Sequence, residues 1–189
     1  MENKIKSYTE SLTTALQLEG MKQVHFLGIA LQEAWRTGRC IYICGNGGSA
    51  GNAIHLANDL IYGVGLKDGL GMRVEALSAN SAVITCLAND IGYDEIYSQQ
   101  LKVKAQNGDV LIVLSGSGNS QNVIRAIEEG NDIGMKTFAI VGYSGGHCKK
   151  IAKFPIHFAI DDMQIAEDLQ LIVGHICMQW LCQEGRGVL

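Results

Sequence analysis

Residues 40–55, CIYICGNGGSAGNAIH, join three kinds of sequence that together decide the fold. Residues 40–44 form a short, apolar, β-prone run, which is typical of a buried strand. Gly45 ends this run, and a loop of Gly, Asn and Ser then leads into a helix-like stretch that contains His55. The segment therefore predicts a strand, a glycine-rich loop and a helix in immediate succession.

The same pattern recurs along the chain. Similar apolar runs occur at residues 74–76, 110–114, 137–141 and 156–159. Helix-like stretches lie near residues 49–62, 79–105, 119–133 and 145–152. Strands that alternate with helices predict right-handed βαβ units. We therefore expect an α/β fold of the flavodoxin-like, three-layer kind, in which helices cover both faces of a five-stranded parallel sheet.

The two ends of the chain predict further helices. Recurring apolar positions over residues 2–37 indicate two helices that meet near Glu19 and Gly20. Residues 163–184 have one broad apolar face, and they follow Asp161 and Asp162, which are good capping residues. The sole proline, Pro155, predicts an edge strand. The N-terminal helices have more apolar surface than one small sheet can cover, so we expect them to mediate oligomerisation.

The composition favours one globular domain. The chain has 189 residues, 47% of them hydrophobic, and we expect a single domain over residues 1–189. A formal charge of -4 without a basic stripe argues against nucleic-acid binding. The sequence has no signal-peptide pattern or membrane-spanning stretch, and its six cysteines lack metal-finger spacing. We therefore expect a cytoplasmic protein with reduced thiols and no membrane partner.

A second marked loop, LSGSGNS at residues 114–120, directly follows a predicted strand. Ligands of open parallel sheets bind outside the carboxyl ends of the strands. Serine hydroxyls, two glycines and a helix that starts near Asn119 predict a cradle for a phosphate monoester, because a helix N-terminus favours an anion. The alternative is a turn that only caps the helix. The Gly-Lys-Ser/Thr ending of a P-loop is missing, and Ala50 stands where a dinucleotide-binding loop has its third glycine.

Several motifs, in order, resemble those of the sugar isomerase (SIS) domain. They are GNGGSA at 45–50 with a histidine six residues after Ser49, LANDIGYDEIYSQQL at 87–101, GDVLIVLSGSGNSQNVI at 108–124 and IVGHI at 172–176. Within this family they are most similar to the phosphoheptose isomerases, which interconvert sedoheptulose 7-phosphate and a heptose 7-phosphate. The resemblance covers nearly the whole chain. It implies a single SIS domain and a homotetramer with its sites at subunit interfaces.

The resemblance also implies which residues contact a phosphosugar. On the sugar side these are Asn46, Gly47, Ser49 and Asp90. On the phosphate side they are Ser115, Gly116, Ser117, Asn119 and Ser120. Glycines in both loops would let the backbone approach the ligand closely.

A zinc ion, or another divalent metal, is a further implication of the resemblance. The matching ligands are His55, Asp59, Glu167 and His175, where Asp59 replaces a Glu and Glu167 replaces a Gln. His55 and Asp59 share one helix face, and Glu167 and His175 lie about 80° apart around a helix, so both pairs could converge on one ion. Asp168 is a further candidate ligand or partner of His175. The alternative is that both histidines are hydrogen-bonded core residues.

Aldose–ketose isomerisation moves a proton between neighbouring carbons through an enediol. It requires a base near the carbon, an acid or metal at the oxygens, and a grip on the phosphate. We expect Asp59 or Glu167 to act with His175 as the acid–base pair. Two alternatives stay open: a non-catalytic regulator that binds a phosphosugar or associates with a replication initiator, and a SIS isomerase of another ketose phosphate.

Overall fold

The computed structural model describes residues 1–66 and 69–187, which contain a five-stranded sheet with helices on both sides. The strands are β1 Cys40–Gly45, β2 Arg73–Ala76, β3 Val110–Ser115, β4 Lys136–Val141 and β5 Phe154–His157. The α-helices are α1 Glu2–Ala15, α2 Gly20–Thr37, α3 Gly48–Asn58, α4 Ser81–Asp90, α5 Ser98–Lys104, α6 Gln121–Ile133, α7 Cys148–Ile151 and α8 Met163–Glu184. A π-helical turn, Asp59–Gly63, follows α3, and 3₁₀ turns occur at Val64–Leu66 and Tyr93–Glu95. The predicted α/β architecture is confirmed.

The strands are all parallel and lie in the order β2-β1-β3-β4-β5. The central strand β3 is buried at all six of its residues, because helices cover both faces of the sheet. Pro155 lies in β5, an edge strand as predicted, where its missing N–H breaks no interior ladder. The chain reverses its direction across the sheet between β1 and β3, so the loops that follow these two neighbouring strands meet at one end.

Alternating strand residues supply two hydrophobic cores, one on each face of the sheet. Ile41, Ile43 and Ile112 belong to a cluster with apolar residues of α2, α3 and α8. Tyr42 and Cys44 belong to a second cluster with apolar residues of α5, α6 and α7. These two cores confirm the predicted three-layer arrangement.

The predicted helical stretch at 79–105 is interrupted, which corrects the sequence-based boundary. α4 ends at Asp90 and α5 begins at Ser98. Gly92 between them has a φ of 103°, a conformation that residues with a Cβ rarely adopt and that cannot continue a helix. The break brings Tyr93 to the first loop, where its hydroxyl donates to Asn46 Oδ1 at 3.1 Å.

Both ends of the chain follow the predicted pattern. α1 ends at Ala15 and α2 begins at Gly20, close to the predicted junction. α8 has the predicted bounds, and Asp162 Oδ1 caps it by accepting a hydrogen bond from the Ile165 N–H at 3.1 Å. Two other boundaries are corrected: α7 is shorter than the stretch 145–152, and β5 begins two residues before the run 156–159.

All six cysteines are free thiols, as predicted. Burial raises the pKa of Cys148 and of Cys177 to about 12, so both thiols stay protonated and unreactive at neutral pH. Among the described residues, no helix combines the length and hydropathy that a membrane crossing requires.

Candidate active site

A cavity of about 310 Å³ opens where β1 and β3 end. The residues that line it are Asn46, Gly47, Gly48, Ser49, Leu114, Ser115, Gly116, Ser117, Ser120, Met163 and Glu167. All of the predicted substrate-contacting residues except Asp90 and Asn119 are in this group. The structure therefore brings the two marked loops together on one cavity, at the position where doubly wound sheets bind ligands.

The first loop is held by amide and hydroxyl groups that the sequence analysis did not single out. Asn46 and Asn122 exchange two hydrogen bonds of 2.8 Å through their side-chain amides. Tyr97 donates to the Gly45 carbonyl at 2.5 Å, and burial raises the pKa of Tyr97, so its hydroxyl remains a donor. The only sequence signal for Asn122 was its place two residues after Ser120, near the start of the helix that follows the second loop.

Ser49 lines the cavity from the first turn of α3. The side chain is buried, and its hydroxyl accepts a hydrogen bond from Gln170 Nε2 of α8 at 3.0 Å. Gln170 Oε1 in turn accepts from Asn52 Nδ2 at 3.0 Å. Because Ser49 Oγ is fixed as an acceptor of this bond, its own proton is available to a ligand in the cavity.

The second loop is organised by bonds within itself and to the loop after β4. Ser115 Oγ accepts from the Gly118 N–H at 3.0 Å, and Ser117 Oγ accepts from the Asn119 N–H at 3.3 Å. Asn119 Oδ1 accepts from the His147 N–H at 3.1 Å, so the Asn119 side chain faces that neighbouring loop and not the cavity. Ser120 stands immediately before α6 and lines the cavity.

Asp90 lies at the end of α4 and does not line this cavity. Its carboxylate accepts hydrogen bonds from Asn89 Nδ2 at 2.8 Å and from Cys86 Sγ at 3.4 Å, and these bonds lower the pKa of Asp90. α4 has no buried residue in the described chain. In a single chain, Asp90 is therefore not among the residues that line the cavity.

His55, Asp59 and His175 form a compact group between α3 and α8 that could hold a metal ion. The Nε2 atoms of the two histidines are 3.0 Å apart. Asp59 Oδ2 lies 3.4 Å from His55 Nε2 and 3.5 Å from His175 Nε2. Ligand atoms of a tetrahedral zinc ion, with bonds of about 2.0–2.1 Å, are about 3.3–3.4 Å apart. Two imidazoles and one carboxylate thus fit a divalent metal in both chemistry and spacing.

Glu167, the fourth predicted ligand, is not part of this group in the single chain. Glu167 and His175 are eight residues apart on α8, which separates them by about 12 Å along the helix axis. The Glu167 carboxylate packs on Gly48, where a Cβ would lie 2.5 Å from Oε1. Glu167 and His175 thus lie close in direction around the helix axis, as predicted, but far apart along that axis.

Asp168 is also outside the metal group. Its Oδ2 accepts a hydrogen bond of 2.5 Å from the Tyr8 hydroxyl of α1, and this bond raises the pKa of Tyr8 to about 12. Asp168 therefore joins α1 to α8 and does not contact His175 as a partner.

Comparison with known proteins agrees with this architecture. A sequence model of the SIS domain matches residues 5–142. The chain therefore belongs to the SIS domain family. It is 34% identical over 179 residues to the phosphoheptose isomerase of Helicobacter pylori (strain P12), covering 93% of this chain and 91% of that protein. Membership is thus more specific: the chain belongs to the phosphoheptose isomerases of that family.

A second relative and two solved structures are similar to this chain. The phosphoheptose isomerase of Clostridium acetobutylicum is 32% identical over 178 residues, which cover 93% of this chain and 90% of that protein. The structure of a phosphoheptose isomerase from Francisella tularensis superposes with a TM-score of 0.87 at 25% identity, covering 96% and 97% of the two chains. The Vibrio vulnificus NanR protein, solved with ManNAc-6P, shares the fold with a TM-score of 0.71 at 15% identity, covering 97% of this chain and 62% of that one.

Proposed function

We propose that this protein is an aldose–ketose isomerase that interconverts sedoheptulose 7-phosphate and heptose 7-phosphate. The observation that carries the proposal is the single cavity in which a serine-rich loop, an amide-bearing loop and the carboxylate of Glu167 meet. Relatives that bear the name phosphoheptose isomerase match over most of the chain. The cavity supplies a phosphate grip at one side and a carboxylate at the other, which the reaction requires.

The phosphate binds to the loop at residues 115–120, at the N-terminus of the 13-residue helix α6. The orphan N–H groups and the positive dipole of that terminus attract the anion. Ser115, Ser117 and Ser120 add hydroxyls from the cavity wall, and Gly116 lets the backbone come close. Binding of the distant phosphate holds the reacting carbons in place, which lowers the entropic part of the barrier.

The sugar contacts the first loop, and Glu167 moves the proton. Asn46 and Ser49 supply side-chain donors, and Gly47 exposes the backbone. Glu167 is the carboxylate that lines this cavity, whereas Asp59 is held between two histidines. Glu167 takes a proton from one carbon of the substrate and returns it to the neighbouring carbon of the enediol.

His55, Asp59 and His175 hold a divalent ion, for which zinc is the first candidate. Three protein ligands with an open fourth position are typical of a catalytic zinc site. When bound, the ion would supply a Lewis acid for oxygens of the substrate. His55 lies six residues after Ser49, about 9 Å along α3, so the metal group stands about one sugar length from the cavity.

The active form is a homotetramer with its sites at subunit interfaces. Exposed apolar side chains lie next to the metal ligands in sequence: Ile54 is 45% exposed, Ile61 49% and Ile176 41%. α4, which carries Asp90, also lacks buried residues of its own. A neighbouring subunit that covers these surfaces would supply the contacts that Asp90 lacks within one chain. The free thiols and the phosphosugar substrate support a cytoplasmic location.

The test is a coupled assay on purified protein with sedoheptulose 7-phosphate and a panel of other ketose phosphates, together with metal analysis. We expect turnover of the heptulose phosphate and loss of activity on chelation, with recovery on addition of zinc. Turnover of a pentulose or hexulose phosphate instead would reassign the substrate. Tight phosphosugar binding without turnover of any panel member would contradict the isomerase and favour a regulator.

A further inference from the structure

Asn122 is a buried polar side chain that the proposed reaction does not use. It is 1% exposed, and it lies on α6 two residues after Ser120, the last residue of the phosphate-binding loop. Its amide and that of Asn46 face each other and exchange two hydrogen bonds of 2.8 Å. Breaking this pair would be costly, because a buried amide that loses its partner has no water to replace the lost hydrogen bonds.

The orientation of both amides is determined by a third group. The backbone N–H of Val123 donates to Asn122 Oδ1 at 2.9 Å, so this atom must be the oxygen. The other terminal atom of Asn122 is then the nitrogen, which donates to Asn46 Oδ1. The Tyr93 hydroxyl donates to the same oxygen at 3.1 Å. Two donors therefore occupy Asn46 Oδ1 and fix which way the Asn46 amide points. The Tyr97 hydroxyl also lies 3.4 Å from this oxygen, but it donates its proton to the closer Gly45 carbonyl.

This arrangement decides what Asn46 offers to the cavity. The two lone pairs of Asn46 Oδ1 are taken by Asn122 and Tyr93, whereas Asn46 Nδ2 uses one of its two protons for Asn122. The second proton of Nδ2 remains for a ligand. Asn46 is thereby limited to the role of hydrogen-bond donor, which suits the carbonyl or hydroxyl oxygens of a sugar.

We propose that Asn122 is a positioning residue for the isomerisation, which locks Asn46 as a hydrogen-bond donor to the sugar. The inference rests on the proposed function, because it takes the sugar to occupy the cavity beside Asn46. The amide pair also connects the first residue after β1 to the first turn of α6. It therefore holds the sugar-binding loop at a set distance from the phosphate-binding loop.

The direct test is Asn122→Asp, which keeps the size of the side chain and the acceptor for the Val123 N–H. The substitution places an oxygen opposite Asn46 Oδ1, so the Asn46 amide must rotate. We expect kcat/KM for sedoheptulose 7-phosphate to fall about tenfold to a hundredfold, as expected for a misplaced contact of about 1 Å. In Asn122→Ala, which adds no charge beside residues 115–120, competitive inhibition by inorganic phosphate should be unchanged, because those residues hold the phosphate.

A double-mutant cycle separates positioning from general damage. If Asn122 acts through Asn46, then Asn122→Ala should cost nothing further in the Asn46→Ala background. Tyr93→Phe gives a second route that does not threaten folding, since Tyr93 is 54% exposed. It removes one of the two donors to Asn46 Oδ1, and we expect a smaller fall in kcat/KM that also disappears in the Asn46→Ala background.

Asn131→Asp is the matched control. Asn131 lies on the same helix, and its amide donates to the Ile151 carbonyl at 2.8 Å and accepts from Thr137 at 2.7 Å, away from the cavity. The Asn131→Asp variant should have a lower thermal stability than the wild type and the same kcat/KM.

Four outcomes would overturn the inference: wild-type kcat/KM in Asn122→Asp, weakened phosphate inhibition in the uncharged variant Asn122→Ala, no effect of Tyr93→Phe if Asn122→Asp does not fold, or additive losses in the cycle. A wild-type protein that binds inorganic phosphate but isomerises no ketose phosphate would instead contradict the proposed function. That result is distinguishable, because it appears before any variant is made.

Discussion

At the scale of single residues, the two carboxylates Asp59 and Glu167 differ in their surroundings. Asp59 Oδ2 lies 3.4 and 3.5 Å from two imidazole nitrogens, which is the spacing of ligands around a metal. Glu167 instead packs on Gly48 and lines the cavity. Because Glu167 lines the cavity proposed to hold the substrate and Asp59 does not, we assign the proposed proton transfer to Glu167.

Replacing Glu167 by Gln tests this division of roles. The amide keeps the shape and the packing on Gly48 but cannot take a proton, so we expect kcat to fall about 10²- to 10⁴-fold. Bound metal, measured by mass spectrometry, should stay at the wild-type level. Glu184→Gln, the same change at the end of α8, serves as the control and should leave kcat unaltered. Loss of metal from Glu167→Gln would show that Glu167 is a ligand instead.

At the scale of secondary-structure elements, the metal group depends on how closely α3 and α8 approach. A Cβ on Gly174 would collide with the Leu56 side chain, so a glycine is needed where the two helices touch. His55 and His175 flank this point, one on each helix. The π-helical turn that begins at Asp59 ends the regular helix at the third residue of this group, and such turns are frequent at functional sites.

Gly174→Ala should force the two helices apart. We expect a loss of about 1–3 kcal/mol in the free energy of unfolding, from overpacking against Leu56. The metal affinity, measured by competition with a chelator, should fall as well, because His175 moves away from His55.

Gly51→Ala is the matched control for this prediction. Gly51 lies on α3, and in the described chain a Cβ there would meet no atom within 4 Å. Helix propensity then predicts a gain of up to about 1 kcal/mol in stability with wild-type metal affinity. Equal metal affinity in the two variants would contradict the claim that helix approach determines the metal group.

At the scale of the whole molecule, much apolar surface stays uncovered in a single chain. Phe26 and Ile29 of α2 are 48% and 43% exposed, and α1 buries only Ala15. A groove between α2 and α8, lined by Met21 and Trp180 among others, adds to this surface. Exposed apolar area of this kind is typical of a protein–protein interface.

Phe26→Lys should weaken assembly of the proposed tetramer. Burying a Phe side chain contributes about 1.5–3 kcal/mol. Losing this contribution at each interface corresponds to a dissociation constant about tenfold to hundredfold higher. Light scattering coupled to size exclusion should detect smaller species at micromolar protein. Val103→Lys, at a position 77% exposed on α5, should leave the mass unchanged. A wild-type protein that runs as a monomer would contradict the oligomeric proposal itself.

Much of the fold was predictable because local patterns specify it. Runs such as residues 110–114 are apolar at every position, as a strand must be when helices cover both faces of its sheet. Residues 163–184 carry a cap and an apolar face, so both ends of α8 were predicted correctly. The break at Gly92 was missed, since a positive φ leaves little trace in a helix-like apolar sequence.

The sequence by itself determined the succession of strands and helices along the chain and the chemistry of the two loops. Both depend on local features, namely hydrophobic periodicity and the glycine and serine content of a few neighbouring residues. Only the tertiary structure decided which side chains meet. It brought together His55, Asp59 and His175, which the family resemblance had already matched to a metal site, but it placed Glu167 in the cavity instead and paired Asn122 with Asn46. These contacts join residues 76 to 120 positions apart. They depend on axial distance and helix packing, which no local pattern encodes.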